Sequence, residues 1–280
     1  MESFRFGTVG SPLSMPKKPG GSVGAILQLR SLGLTALELG WVQSVRVSEA
    51  TCVEIRRTGA EQDVKISVHA PYFINLNASD DEWPNSRKRL IDAAYYGNLA
   101  GATDIVFHPG SYFGMRPEEI LPKAINRLAD CVAELRKQGN PVTLRPETMG
   151  KSAMLGSLED TLAMSHAIPG VVPCLDFAHL HARPGDGTMN TYGEWCQVLN
   201  DYAKTLGDAQ LKHLHCHLSG IQYSKLGERK HVPIQESDLN LEELFRALRD
   251  CGAGGRIMCE SPDMENDALY MQSVWGKINQ

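Results

Sequence analysis

His69, His108, Glu147, Asp176, His179, His217, His231 and Glu260 each close a short run of β-forming residues or lie in the loop just beyond one. Of the nine histidines in the chain, only His166 falls clearly within a helical run. Neutral imidazoles and carboxylates gathered without cysteine suit a divalent cation such as Zn2+, Mn2+ or Fe2+. Clustered carboxylates also repel one another unless a cation lies between them. Each residue alone has a plain structural explanation, either a satisfied core histidine or a salt-bridged rim carboxylate. Their repeated placement is what favours a metal centre.

The elements that must position these residues alternate along the 280 residues. β-Rich runs fall at 4–9, 35–39, 64–69, 104–108, 141–147, 171–176, 211–217 and 256–260, with helical periodicity between them. Eight strands, each followed by a helix, make a single (β/α)8 TIM barrel spanning 1–280, with the metal site at the C-terminal face of the strands. Glycines at 33, 59, 139 and 252 stand where left-handed helix caps are wanted, and Pro117 followed by two glutamates suits a helix start. The first βα turn, GSPLSMPKKPGG, is not the G-x-G-x-x-G of a doubly wound sheet.

In LKHLHCHLSG the two-residue period puts His213, His215 and His217 on one strand face. Only His217 would reach the rim, leaving His213 and His215 to fill layers beneath. His181, two residues after His179, would point away from it in an extended chain and contact substrate.

Net charge is −5, so bulk charge gives no support for nucleic-acid binding, and a local patch or bound metal would have to supply it. Seven scattered cysteines without a C-x-x-C pair describe a reduced protein with neither a disulfide framework nor a thiolate zinc site. MESFRFGTVG has no basic segment leading into an apolar one, and no apolar run approaches the ~20 residues that cross a bilayer. A cytoplasmic monomer without membrane contact is the expectation.

In order and spacing, SVHAPYFINLN, VFHPGS, ETMG, CLDFAHLHA, HLSG, GERKH and CESPD resemble the endonuclease IV family of apurinic/apyrimidinic endonucleases, among the xylose-isomerase-like TIM barrels. The resemblance implies cleavage of damaged double-stranded DNA on the 5′ side of an abasic site, by metal-assisted hydrolysis needing no side-chain nucleophile. It implies two or three zinc ions, with Mn2+ or Fe2+ as substitutes. His69 and His108 would hold the first, with Glu147 bridging to the second. Asp176, His217 and Glu260 would complete the second, and Glu147 and Glu260 would be the catalytic carboxylates. His179 and His231 would hold the third, together with an aspartate that the family places two residues before the last histidine. That position is Arg229 here, and Glu228 would replace it if the backbone shifts.

Tyr72 matches a tyrosine the family uses on DNA. The second βα loop, GWVQSVRVSE, offers only Trp41 and Arg46 in place of the family's basic-aromatic segment. The competing reading is a sugar isomerase or epimerase with one divalent ion on Glu147, Asp176, His217 and Glu260, the two glutamates moving a proton beside a carbonyl. It leaves His69, His108, His179 and His231 without a task. A non-catalytic metal- or DNA-binding module gives no reason for so complete a rim.

Overall fold

The computed structural model describes residues 4–280. Its eight barrel strands are β1 (Arg5–Val9), β2 (Ala36–Gly40), β3 (Lys65–His69), β4 (Asp104–Phe107), β5 (Thr143–Pro146), β6 (Cys174–Asp176), β7 (Leu214–Leu218) and β8 (Gly255–Cys259). All pair in parallel with their chain neighbours, and β8 returns to β1. Two single bridges, Leu144 to Val171 and Glu147 to Cys174, join β5 to β6 and close the ring. This is the expected TIM barrel.

Nine helices are described: α1 (Gly21–Ser31), α2 (Glu49–Glu61), α3 (Trp83–Leu99), α4 (Pro117–Lys137), α5 (Leu158–Ala167), α6 (Phe177–Ala182), α7 (Tyr192–Leu206), α8 (Leu241–Asp250) and α9 (Glu265–Ile278). Local sequence explains why they form. In α8, Leu241, Leu244, Phe245 and Leu248 recur at the spacing of one helix face, and all are buried. Pro117 opens α4, where its missing N–H costs nothing, and the Glu119 side chain accepts the Arg116 N–H to complete the first turn. Phe4, Phe245 and Trp275 pack edge to face at centroid separations of 5.1 and 5.6 Å, seating α8 and α9 against the start of β1. Each such pair contributes about 0.5–1.5 kcal/mol beyond its buried area.

Three local expectations are corrected. Gly59 is not a cap: it lies inside α2, where a Cβ would stand 3.2 Å from both Ile66 Cγ1 and Val64 O, so its role is close helix–strand packing. His213 leaves the strand, because Asp208–His213 form a 3-10 turn that carries it, exposed, to the N-terminal mouth of the barrel. FAHLHA is the short helix α6, started by Asp176, whose Oδ1 accepts the His179 N–H at 2.7 Å.

Beyond β7 the chain folds into a hairpin of Gly220–Ser224 and Gly227–Val232, in a stretch where the sequence suggested only a loop. Its pairing matches Gln222 with Lys230 but Tyr223 with Glu228, so Arg229 is the extra residue of a bulge.

Candidate metal centre

The C-terminal ends of the strands deliver the rim. His69 ends β3, His108 follows β4, Glu147 follows β5, Asp176 ends β6, His217 lies in β7 and Glu260 follows β8. His179 comes from the first turn of α6, and His231 from the hairpin. All eight converge.

Glu147 is the hub and is fully buried. Its Oε2 lies 3.2 Å from His69 Nε2 and 3.4 Å from His108 Nε2. Its Oε1 faces the other side, 3.1 Å from His179 Nδ1 and 3.7 Å from His217 Nδ1. One oxygen thus faces His69 and His108 and the other faces His217, as a bridge must. Donor atoms of Glu147, Asp176, His217 and Glu260 all lie within 4.8 Å of one another, as do those of Asp176, His179 and His231.

The imidazoles are pinned from behind. His69 Nδ1 is 2.8 Å from Ala70 O, His179 Nδ1 is 3.0 Å from Thr148 O, and His231 Nδ1 is 3.2 Å from Glu260 O. A carbonyl only accepts, so each of these nitrogens carries a proton, and Nε2 is the nitrogen that each ring turns inward. The outer hydrogen bond that orients a metal-binding histidine has this form. The consequence is sharpest at His179 and His231, whose Nε2 atoms lie 3.2 Å apart. Two lone pairs at that distance repel unless a proton or a cation lies between them.

The carboxylates agree. Glu147 Oε1, Asp176 Oδ2 and His217 Nδ1 are buried without a hydrogen-bond partner among the described residues, and all belong to the cluster. Burial raises the Asp176 pKa, with Glu147 and Glu260 adding to it. Burial alone would lower His179, but Asp176, Glu147 and Glu228 drive it up to about 10. The site calls for positive charge at its centre, and the donor set fits divalent cations.

Arg229 is exposed, while its bulge lets Glu228 and His231 face the site together despite being three residues apart. Glu228 Oε2 stands 3.5 Å from His179 Nε2, so the bulge brings this carboxylate beside the ring. Gly150 makes room for this approach: a Cβ there would lie 2.7 Å from Glu228 Cβ and 2.9 Å from His179 Cδ2.

A cavity of about 270 Å³ opens above the cluster, lined by Tyr72, His108, Met149, His179, Glu228, His231 and Glu260. Tyr72 stacks on His108 with centroids 5.0 Å apart. Burial, together with Glu260 and Glu147, raises its phenol to about 12, so it stays protonated and able to donate.

The remaining expected contacts do not reach this cavity. Half-buried Trp41 lines a separate crevice beside Gly10 and Glu38, its backbone N–H donating to His69 O. Arg46 is exposed on the second loop. His181 is fully buried, with Nδ1 3.1 Å from Thr188 O and Nε2 3.1 Å from Asp238 Oδ1. Its helical spacing from His179 turns it under the hairpin, and both nitrogens are occupied, so no substrate contact is open to it.

Sequence reasoning missed Glu38. This fully buried glutamate lies under the cluster, with Oε2 2.8 Å from His215 Nε2 and 2.7 Å from Ser67 Oγ. Burial opposes its ionisation, yet His217 and His215 hold it well below the usual carboxylate range. The signal was present in ALELG, an acidic residue within an otherwise apolar strand.

Against this geometry, a sequence model described as "Xylose isomerase-like TIM barrel" matches residues 26–275. An uncharacterised protein of Methanocaldococcus jannaschii is 35% identical over 274 residues, covering 98% of this chain and 97% of that one. Endonuclease 4 of Thermus thermophilus is 29% identical over 202 residues, covering 70% of each. The solved structure of endonuclease IV from that species superposes with a TM-score of 0.69 at 21% identity, covering 97% of this chain and 98% of that one. A D-tagatose 3-epimerase-like protein superposes at 0.73 with 16% identity, covering 99% and 97%, a likeness of fold alone. Among the described residues no helix is long and apolar enough to cross a membrane.

Proposed function

The chain belongs to the xylose isomerase-like TIM barrel family, and within it we propose a divalent-metal phosphodiesterase related to endonuclease IV, cleaving double-stranded DNA beside abasic sites with zinc as its ion. The observation that carries this reading is the inward aim of His69, His179 and His231, each fixed by an outer hydrogen bond. A single-ion isomerase site needs Glu147, Asp176, His217 and Glu260 and has no use for these rings.

Ions held here would supply Lewis acidity toward a phosphodiester and lower the pKa of an attacking water. Glu147 would hold two donor groups in fixed relation through its two oxygens. The Tyr72 phenol would donate to a phosphate or deoxyribose oxygen above His108. Exposed Lys225, Arg229 and Lys230 on the hairpin would meet the DNA backbone, as would Arg46 from the second loop. Zinc, a reduced intracellular setting and a role in DNA repair belong to this same proposal.

The test is incision of a duplex carrying one abasic site by the zinc- or manganese-loaded protein, with Glu147→Gln as control. Cleavage 5′ to the lesion, lost in the control, is the expected result. A folded, metal-loaded protein that leaves the duplex intact overturns it. The compact four-ligand group of Glu147, Asp176, His217 and Glu260 then favours the second reading, a sugar isomerase or epimerase, tested on ketoses and aldoses.

A further inference from the structure

The largest cavity described is at the other end of the barrel. It measures about 690 Å³ and is formed at the N-terminal ends of the strands by residues that include Arg5, Lys65, Asp104, Arg145, Lys212 and Arg256. Five side-chain cations and one carboxylate thus face a single space in a chain whose net charge is −5.

The floor is built. Asp104 Oδ1 lies 2.6 Å from Arg145 Nε, and its Oδ2 lies 3.0 Å from Arg256 Nη2, so one buried carboxylate serves two guanidinium groups and leaves a positive charge over. Arg145 is held further by the carbonyls of Pro173 and His213, and Arg256 by Thr103 Oγ1. At the mouth, Arg5 is paired with Asp63, and Lys65 stands 3.6 Å from the same carboxylate. Lys212 is exposed and makes no ion pair among the described residues, and the exposed ring of His213 lies beside it on the wall. Leu214 is the one large apolar side chain in the lining, and the His213 imidazole is its one aromatic ring.

We propose that this mouth binds a small multivalent anion of the phosphate class, at a site separate from the metal centre. Lys65 and Lys212 reach over the anion, and the residual charge of the arginine pair attracts it from below. The interaction is electrostatic and weakens as salt rises.

The experiment is titration calorimetry on the metal-loaded full chain with inorganic phosphate and, separately, with ADP. It is repeated on the Lys65→Glu/Lys212→Glu double variant and on His231→Ala. Both lysines are exposed, and Lys65 has only the loose contact with Asp63 to lose, so the double variant should stay folded, as its melting curve without ligand will show. The expected result is binding weakened at least about tenfold by the lysine changes and unaltered by His231→Ala. Equal affinity for phosphate and ADP identifies a free phosphate site, and tighter ADP binding identifies a nucleotide's phosphates as the source. Binding that survives the lysine changes and disappears in His231→Ala places the anion on the metal centre and overturns the proposal. So does the absence of heat with either anion at about 10 mM.

Discussion

Glu38 Oε1 lies 2.9 Å from Nε2 of His217, on the side of the ring away from the metal centre. The opposite nitrogen, His217 Nδ1, lies 3.3 Å from Glu260 Oε1. The pair is a close ionic contact, and the negative charge of Glu38 favours a proton on Nε2, leaving Nδ1 to the cluster. Glu38→Gln should therefore lower metal affinity about 10- to 100-fold, with little change in fold. Competition with a chromophoric chelator reads this directly, and wild-type affinity in the variant would show that the contact is only packing.

The bulge at Arg229 makes a separate prediction. Glu228→Ala should remove one bound ion per chain while leaving those at Glu147, measured by elemental analysis after dialysis. Arg229→Asp, which puts back the acid at its usual spacing from the last histidine, should not restore that ion to Glu228→Ala, because position 229 is exposed on the bulge. Restoration would mean that the hairpin re-registers.

Metal uptake should release protons. In the metal-free protein His179 is raised to about 10, with Nδ1 already committed to Thr148 O, so the proton that must leave is on Nε2. Its folded pKa is raised, so the ring is charged at neutral pH and a cation has to displace that proton. Affinity should rise with pH over about 6 to 9. Calorimetry in two buffers of different ionisation enthalpy counts the protons, and a count of zero at neutral pH would contradict the assignment.

Acid should weaken the opposite end of the barrel. Burial works to raise the Asp104 pKa, but Arg145 and Arg256 hold it far below the usual carboxylate range. Its folded pKa lies below the unfolded value of about 3.9, so its contribution is complete above that pH and is lost as pH falls further. Asp104→Asn, which leaves buried Arg145 and half-buried Arg256 unpaired, should cost about 3 kcal/mol at neutral pH. Urea unfolding should show the gap between wild type and variant narrowing below about pH 4, whereas a constant gap would mean that the loss is steric.

The chain order of strands and the residues at their ends were legible in the sequence because both depend on local rules. β-Formers alternate with amphipathic helical stretches, and the last residue of a parallel strand must face the C-terminal mouth. His69, His108, Glu147, Asp176, His217 and Glu260 could be named on that basis. His179 and His231 were named from the loops just beyond the strands, and their pairing as ligands came from the family resemblance. What the sequence could not supply was anything requiring two distant segments to be placed together. Glu38 reads as one acid in an apolar strand until β7 brings His215 and His217 against it. His213 left its strand because the 3-10 turn runs through it and the strand begins only at Leu214. His181 lost its expected substrate role because α6 turned it toward Asp238. That Glu228 and not Arg229 faces the cluster rests on a bulge, which only the pairing of two strands reveals. The basic mouth drew its cations from β1, β3, β5, β8 and the turn before β7, too far apart in the chain for any local pattern to unite them.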